Sequence, residues 1–422
     1  MLITVDNIRR YILTIEGKHP SKETLLNYRL KNNVEYIEQC SINHVRLFNK
    51  NTVIFISDRP NFFFLRISKS LMNIGFRTVL LTRWGVDEEH STFFDEVLLF
   101  DSLLDLSLLS NISSSCIYVQ SWVGWFFLPV FVDLITESDV YCNVNDSSIL
   151  LFDKVESFSH IGIDKENAVF DIECEKYVYE KLKLVTHPYK DINKISDIPS
   201  SESLHYFPCY PLGEFIHNAK RSYSALPNLV FIGGIPYDNK NDLIFKDAKI
   251  HNIVRKIIKQ KLHLTILNNP LMTQSKEDVS DKYRFFNNLS KNNSNFDFSS
   301  GYAPWKLYKK TQKYAYGIMI YDFSNILVSK NHIQSIVPTK FFTYIELGIP
   351  VIVINEMKAV SDIVKKNNLG IVISKNKISL LEKIIESKSD EYSCFLDSIE
   401  NYITKNNMEH KINEILPLFN LA

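Results

Sequence analysis

The stretch VPTKFFTYIELGIPVIVIN occupies residues 337–355. Pro338 disfavours helical backbone at Val337, so a helix is expected to begin after it, with Thr339 placed to cap it. Phe341, Tyr344 and Ile345 fall on or near one face and are spaced to pack against a sheet. Gly348 allows a left-handed stop, and PVIVIN after it reads as a strand. The expectation is therefore a helix over 340–347 followed directly by a buried strand. Lys340 lies in the first turn, where free backbone N–H groups already make the potential positive. A cation there is unfavourable by roughly 0.3–1 kcal/mol when exposed. Either the lysine turns into water, or an anion joins it. A helix N-terminus at a sheet edge is a ready place for a phosphate.

The same texture extends on both sides. Upstream, NTVIFIS, FRTVLLTR, FDEVLLF, SCIYVQS and SDVYCNV are short apolar runs separated by helical segments such as NFFFLRISKSLMNIG and residues 125–136. Near-continuous apolar strands alternating with helices imply a parallel sheet covered on both faces. EKYVYEKLKLVTH and LHYFPCY complete that first unit. A second series starts near Pro227 with NLVFIGG and continues through LHLTILNN, NFDFSS, YGIMIYD, PVIVIN and GIVIS. Two doubly wound units in series are expected. The boundaries fall at a helical N-terminal extension (1–50), a first domain (51–222), a second domain (223–395) and a helical C-terminal segment (396–422). Ligands of such sheets bind outside the carboxyl ends of the strands.

Composition narrows the function classes. At 422 residues the chain exceeds one ordinary core. Lys+Arg and Asp+Glu both number 48, so no global field attracts nucleic acid. The six cysteines are scattered without a CxxC pair, which reads as free thiols in a reducing compartment. The longest apolar run, WVGWFFLPVFVDLI at 122–135, is too short to span a bilayer, and the start lacks a signal-peptide pattern. A cytoplasmic protein, at most touching the inner face of a membrane, is expected. No Asp-x-Asp, no metal-spaced Cys/His cluster, no G-x-S-x-G, no Walker A and no G-x-G-x-x-G occurs. A bound metal and a cofactor are not expected.

Residues 337–355 resemble the P-x-K-x-x-E-Y-x-x-x-G-x-P-V-I signature in the C-terminal half of GT-B glycosyltransferases, in particular the large retaining group. Pro338, Lys340, Tyr344, Gly348, Pro350, Val351 and Ile352 match it. The resemblance is looser around LVFIGGIPYDNK, NFDFSSGY and YGIMIYDFS, and only architectural in the N-terminal half. It implies an α/β protein of two Rossmann-like domains facing a cleft, the first binding acceptor and the second binding nucleotide-sugar, closing on a hinge. The implied reaction moves a hexose-type sugar from a UDP- or GDP-linked donor to a glycan, glycoprotein or lipid-linked acceptor. Self-association is left open. Two positions depart from the pattern. Thr343 stands where the family carries the glutamate that binds the donor ribose. The family's Gly-Arg and following lysine appear as Gly234-Ile235 and Lys240, so the arginine is missing. These departures keep two alternatives in view, a non-catalytic glycosyltransferase-like binding subunit and a nucleotide-sugar epimerase of the same fold.

Candidate site residues follow from strand exits. Gly233-Gly234 would let the backbone approach a diphosphate. Lys240 and Lys340 would add charge. Ser300, Gly301, Asp322, Thr339 and Tyr344 complete the donor set. In the first domain, Asp58 and His187 are candidate catalytic bases, and Trp122 and Trp125 are candidate stacking surfaces for an acceptor sugar. The bland readings are a helix cap for Asp58, a satisfied loop histidine for His187, core packing for the tryptophans, and a solvated face for Lys340.

Overall fold

The apolar runs read from the sequence form two parallel sheets in the computed structural model. It describes residues 3–16, 25, 51–111, 116–195, 197–199, 201–216, 227–235, 250–269, 283–324 and 326–419. The first sheet contains β1 (Thr52–Ser57), β2 (Arg77–Thr82), β3 (Glu96–Leu99), β4 (Cys116–Ser121), β5 (Val140–Val144), β6 (Leu184–His187) and β7 (Leu204–Tyr206). Its order is β3-β2-β1-β4-β5-β6-β7, with every pair parallel. The second contains β8 (Asn228–Ile232), β9 (His263–Asn268), β10 (Phe296–Ser300), β11 (Tyr316–Met319), β12 (Val351–Ile354) and β13 (Gly370–Ile373), in the order β10-β9-β8-β11-β12-β13. In each sheet the chain winds outward in one direction and then in the other, so the order reverses between β1 and β4 and again between β8 and β11. That reversal opens a crevice at the strand exits, where doubly wound folds take their ligands.

Each strand's composition follows from burial on both faces. Every residue of β1, β4, β5, β6 and β12 is buried, which removes the polar alternation of a half-exposed strand. Helix Phe62–Asn73 begins at Asn61, whose side chain accepts the Phe64 N–H at 3.0 Å. It buries Phe63, Phe64, Leu65 and Ile67, so the aromatic run NFFFLRISK packs into the core. Among the described residues no helix is long and apolar enough to cross a membrane.

The chain divides into two compact units, Met1–Cys209 with Met408–Ala422, and Tyr210–Asn407. The expected boundaries at 222/223 and 395/396 differ from these. Helix Tyr392–Lys405 belongs to the second unit, whereas helix Met408–Ile415 packs on helix Phe62–Asn73 of the first. Phe419 then meets Tyr118 at 5.6 Å and Tyr141 at 5.0 Å between ring centroids. Of the expected N-terminal helical extension, helix Val5–Glu16 is described, with Ile8 and Ile12 buried; most of the remainder lies outside the described residues.

The expected helix is found over Thr339–Glu346, one residue earlier than read from the sequence. Pro338, not Thr339, occupies the capping position, and no side chain caps the helix. Gly348 supplies the left-handed stop at φ 64°. Tyr344 is fully buried. Its hydroxyl accepts the Ile232 N–H at 2.9 Å and lies 3.1 Å from the Ile318 carbonyl. It therefore joins β8 to β11 where the ladder between them is short. The ring lies over Gly317, where an added Cβ would stand 2.4–2.6 Å from its carbons. Tyr344 is thus a structural residue of the switch point, not a donor-binding one: its hydroxyl is spent on backbone that would otherwise be unpaired.

Two substitutions test this anchor. Tyr344→Phe leaves the Ile232 N–H buried without its acceptor and should lower stability by about 1–3 kcal/mol. Gly317→Ala forces a methyl into the ring and should cost about as much or more. Urea unfolding measures both, and unchanged midpoints would refute the anchoring role.

Candidate functional site

In the second unit the exits of β8, β9, β10 and β11 carry the donor-site candidates. β8 ends at Ile232 and passes into Gly233, at φ 134°. Lys340, one helical turn before Tyr344, reaches back over this glycine. An ideal Cβ on Gly233 would lie 2.7 Å from Lys340 Cε and 3.3 Å from Nζ, so both backbone angle and space require glycine here. The Lys340 ammonium sits 3.8 Å from the centroid of the Phe231 ring and 5.0 Å from that of Tyr321, and donates to the Tyr321 hydroxyl at 2.6 Å. Lys340 is therefore not a freely solvated surface lysine. It is held over the loop that leaves β8, beside a helix start that no side chain caps. A fixed positive charge beside a helix start is an arrangement suited to a phosphate without a metal.

Asn268, at the end of β9, organises the neighbouring loops. Its Oδ1 accepts the N–H of Ile235 and of Asn269, both at 3.0 Å, and its backbone carbonyl accepts from Gly301 N–H at 2.5 Å. Gly233-Gly234 and Ser300-Gly301 are thereby tied to one residue that the sequence reading passed over. Asp322, after β11, accepts from Lys375 at 2.8 Å and from the Ser324 N–H at 3.1 Å. Partial burial pulls its pKa upward, but the hydrogen bonds from Lys375 and Ser324 outweigh it and hold the carboxyl below its ordinary range. Asp322 is therefore an anion already paired and is ill suited to contact a diphosphate directly. Thr343 is buried with its hydroxyl on the Thr339 carbonyl at 3.3 Å, so it does not substitute for a ribose-binding glutamate. Glu346 is also buried and accepts the Leu212 N–H at 2.9 Å. Lys240 lies outside the described residues.

The first unit carries a polar row across its strand exits. Thr82, Ser57, Gln120, Asn143 and Thr186 stand on adjacent strands and are all buried. Ser57 donates to Gln120 Oε1 at 2.7 Å, and Asn143 Nδ2 donates to Thr186 Oγ1 at 3.1 Å. Asn143 Oδ1, Ser121 Oγ and His187 Nε2 are buried and have no hydrogen-bond partner among the described residues. Asp58 is 5% exposed and pairs with Arg83 at 2.6 Å through Oδ1, while Oδ2 accepts from the Trp84 indole at 3.0 Å.

Residues 266–412 match the family described as Glucosyltransferase 3-like, C-terminal domain. Sucrose-phosphate synthase from Thermosynechococcus elongatus is similar in structure, with TM-score 0.60 and 10% identity over 88% of this chain and 100% of that one. The E. coli trehalose-6-phosphate structure bound with UDP-2-fluoro glucose has TM-score 0.56 at 8% identity, covering 88% and 99%. α,α-Trehalose 6-phosphate synthase from Burkholderia multivorans has TM-score 0.52 at 7%, covering 88% and 96%. No curated protein matches the chain in sequence. The chain has the GT-B fold, and its residues 266–412 match a glucosyltransferase-like C-terminal domain.

In the first unit, three sequence-derived candidates stand differently from expectation. His187 is 1% exposed. Burial first, and His205 second, lower its pKa to about 3. Its Nδ1 accepts the Tyr189 N–H at 3.3 Å, which places the ring proton on Nε2. It is a neutral buried imidazole with no lone pair to offer a substrate, and the catalytic-base reading is withdrawn. Asp58 has both oxygens engaged by Arg83 and Trp84, an arrangement for holding the loops after β1 and β2 together rather than for taking a proton. Trp125 is buried against Phe127 at 5.5 Å, with the Arg83 guanidinium 5.8 Å from its ring centroid; Trp122 leans on it at 5.1 Å and is only half-buried. Of the pair, Trp122 alone keeps ring surface toward solvent.

The loop that carries both tryptophans is pinned from below by helix Lys165–Lys181. Asp171, fully buried, accepts from the N–H of Gly124 at 2.7 Å and of Phe126 at 2.9 Å. One turn on, Glu175 accepts the Ile149 N–H at 2.8 Å and the Tyr179 hydroxyl at 2.5 Å. Burial pushes the Asp171 carboxyl up to about 6 and Glu175 up to about 8, against hydrogen bonds that lower both. An acid whose folded pKa lies above its unfolded value favours folding when protonated. Stability is therefore present below the unfolded carboxyl range and is lost as pH rises toward the folded value. Glu175→Gln, which stays neutral, should flatten the loss of thermal stability between about pH 5 and pH 9; the melting temperature across that range is the measurement, and an unaltered slope would contradict the assignment.

Proposed function

We propose that this protein is a glycosyltransferase that moves a hexose-type sugar from a UDP- or GDP-linked donor to a glycan, lipid-linked or protein-linked acceptor, without a metal and with retention of configuration. One observation carries the reading: the Lys340 ammonium, held over Gly233 beside an uncapped helix start at the β8/β11 reversal. When the bond between the sugar and the diphosphate breaks, negative charge grows on the leaving phosphate. A fixed cation at a helix start stabilises that charge most where it develops, which accelerates the step instead of merely tightening ground-state binding. Among the described residues no group of three His, Cys, Asp or Glu is placed to hold a metal ion, and the proposed charge balance needs none. No resident cofactor takes part; the nucleotide-sugar is a co-substrate. A UDP-linked sugar analogue bound to the E. coli protein of the same fold supports a uridine donor.

The acceptor is placed on the first unit, at the exits of β1, β4 and β5, where Trp122 offers a stacking surface. With His187 and Asp58 both occupied structurally, no first-unit side chain is assigned as base, and the leaving phosphate itself is the proposed acceptor of the incoming hydroxyl's proton. The free thiols Cys116, Cys142, Cys174, Cys209 and Cys394 suit a reducing, cytoplasmic setting.

A screen of UDP- and GDP-sugars by released nucleotide tests the reading, with UDP-glucose the expected donor. Turnover should persist in excess EDTA. Lys340→Ala should lower UDP affinity about 10- to 100-fold, the range of a charge-assisted phosphate contact. Turnover abolished by EDTA and restored by a divalent ion would refute the metal-free reading. Unchanged UDP affinity in Lys340→Ala would refute the site.

A further inference from the structure

Lys340 has four rotatable side-chain bonds and begins in a place its charge disfavours. Left to itself, the ammonium would swing into water and would have to be ordered afresh each time a phosphate bound. The structure shows it already ordered. Phe231 is the fourth residue of β8 and fully buried, so its ring is fixed by the sheet. Tyr321 follows β11, is 9% exposed, and packs on Phe231 at 6.1 Å with the planes inclined at 76°. The two rings form a corner. The ammonium lies in that corner, 3.8 Å and 5.0 Å from the ring centroids, and the Tyr321 hydroxyl accepts from it at 2.6 Å. Aromatic faces attract a cation without neutralising it, and a phenol accepts a hydrogen bond without adding charge. None of these three contacts cancels the positive charge. The next residue, Asp322, has its carboxylate bound to Lys375 and Ser324.

We propose that Tyr321 is a positioning residue for the transfer. Its hydroxyl holds the Lys340 ammonium over Gly233 in the orientation that meets a phosphate, while Phe231 provides the fixed wall. This rests on the reading of the Gly233–Lys340 site as the diphosphate site. It adds a residue that the motif does not contain and gives it a defined part: Tyr321 never touches the sugar or the base, and acts on the phosphate only through Lys340. The class of ligand that senses it is any molecule with a pyrophosphate group, whatever its base.

Calorimetry on the full chain with UDP, inorganic pyrophosphate and uridine tests this. The proteins compared are the wild type, Tyr321→Phe, Lys340→Ala and the double variant. Tyr321→Phe keeps the ring and removes only the hydroxyl. It is expected to weaken UDP and pyrophosphate by a similar factor, about tenfold, and to leave uridine unchanged. The double variant should be no weaker than Lys340→Ala alone, because the hydroxyl works only through the lysine. If Lys340→Ala loses UDP affinity and Tyr321→Phe does not, the positioning role is overturned while the diphosphate site stands. If neither variant affects pyrophosphate, the site reading fails and the positioning role with it. A Tyr321→Phe protein weakened equally toward uridine would mark a general structural defect and would also overturn the proposal; melting temperatures of the unliganded variants report such a defect independently.

Discussion

The second unit depends on a fit between one ring and one missing side chain. Two parallel strands that diverge at a reversal point leave backbone groups unpaired between them, and buried backbone polar groups are costly without partners. Tyr344 fills that gap: its ring takes the space above Gly317, and its hydroxyl binds both strands. Because a helix repeats every 3.6 residues, fixing position 344 also fixes position 340 on the same face, one turn nearer the strand exits. Lys340 is therefore aimed by the buried ring of Tyr344. The motif's spacing of lysine and tyrosine is a statement of geometry: anchor, then reach.

Charge is handled differently in the two units. The first unit buries several acids and gives only some of them a cation. Asp58 has Arg83, and Arg83 in turn has Glu16 Oε1 at 3.9 Å, whose carboxylate also accepts the Leu103 N–H at 2.6 Å. Asp171 and Glu175 bind backbone amides of two strand-exit loops, and burial raises both pKa values. These acids act as fasteners for loops. The second unit leaves Lys340 with its charge uncancelled by the two rings and the phenol that hold it. The buried acids of the first unit thus hold loops, while the second unit holds a cation in place.

Much of this was legible in the chain. Both sheets could be read from apolar runs, because strands buried on two faces lack alternation and so stand out. The helix at 339–346 and its stop at Gly348 followed from Pro338, the apolar spacing and the glycine. The electrostatics of a helix start singled out Lys340 and left two readings, a solvated lysine or an anion partner. What stayed hidden were the partnerships. Nothing local to Asp58 announces Arg83, because the two meet only when β1 and β2 lie side by side. Tyr344 read as a ligand contact because it falls within the motif; only the gap above Gly317 explains its place. Tyr321 read as the tail of a strand. His187 read as a candidate base or a loop histidine, whereas β6 carries it into the interior. The domain boundaries were misjudged at the C-terminus because helical periodicity is alike in Tyr392–Lys405 and Met408–Ile415, and periodicity does not say which core a helix covers.

The return of the last helix to the first unit has a bearing on synthesis. A ribosome delivers residues in order, so the first sheet emerges, and must remain soluble, while the entire second unit is still being made. During that interval the surfaces that helix Met408–Ile415 and Phe419 eventually cover on helix Phe62–Asn73, Tyr118 and Tyr141 are open to water and to other chains. The nascent first unit thus carries an apolar surface that stays uncovered until residues 408–419 have been made. The first unit's core is therefore sealed only after the second unit has been synthesised.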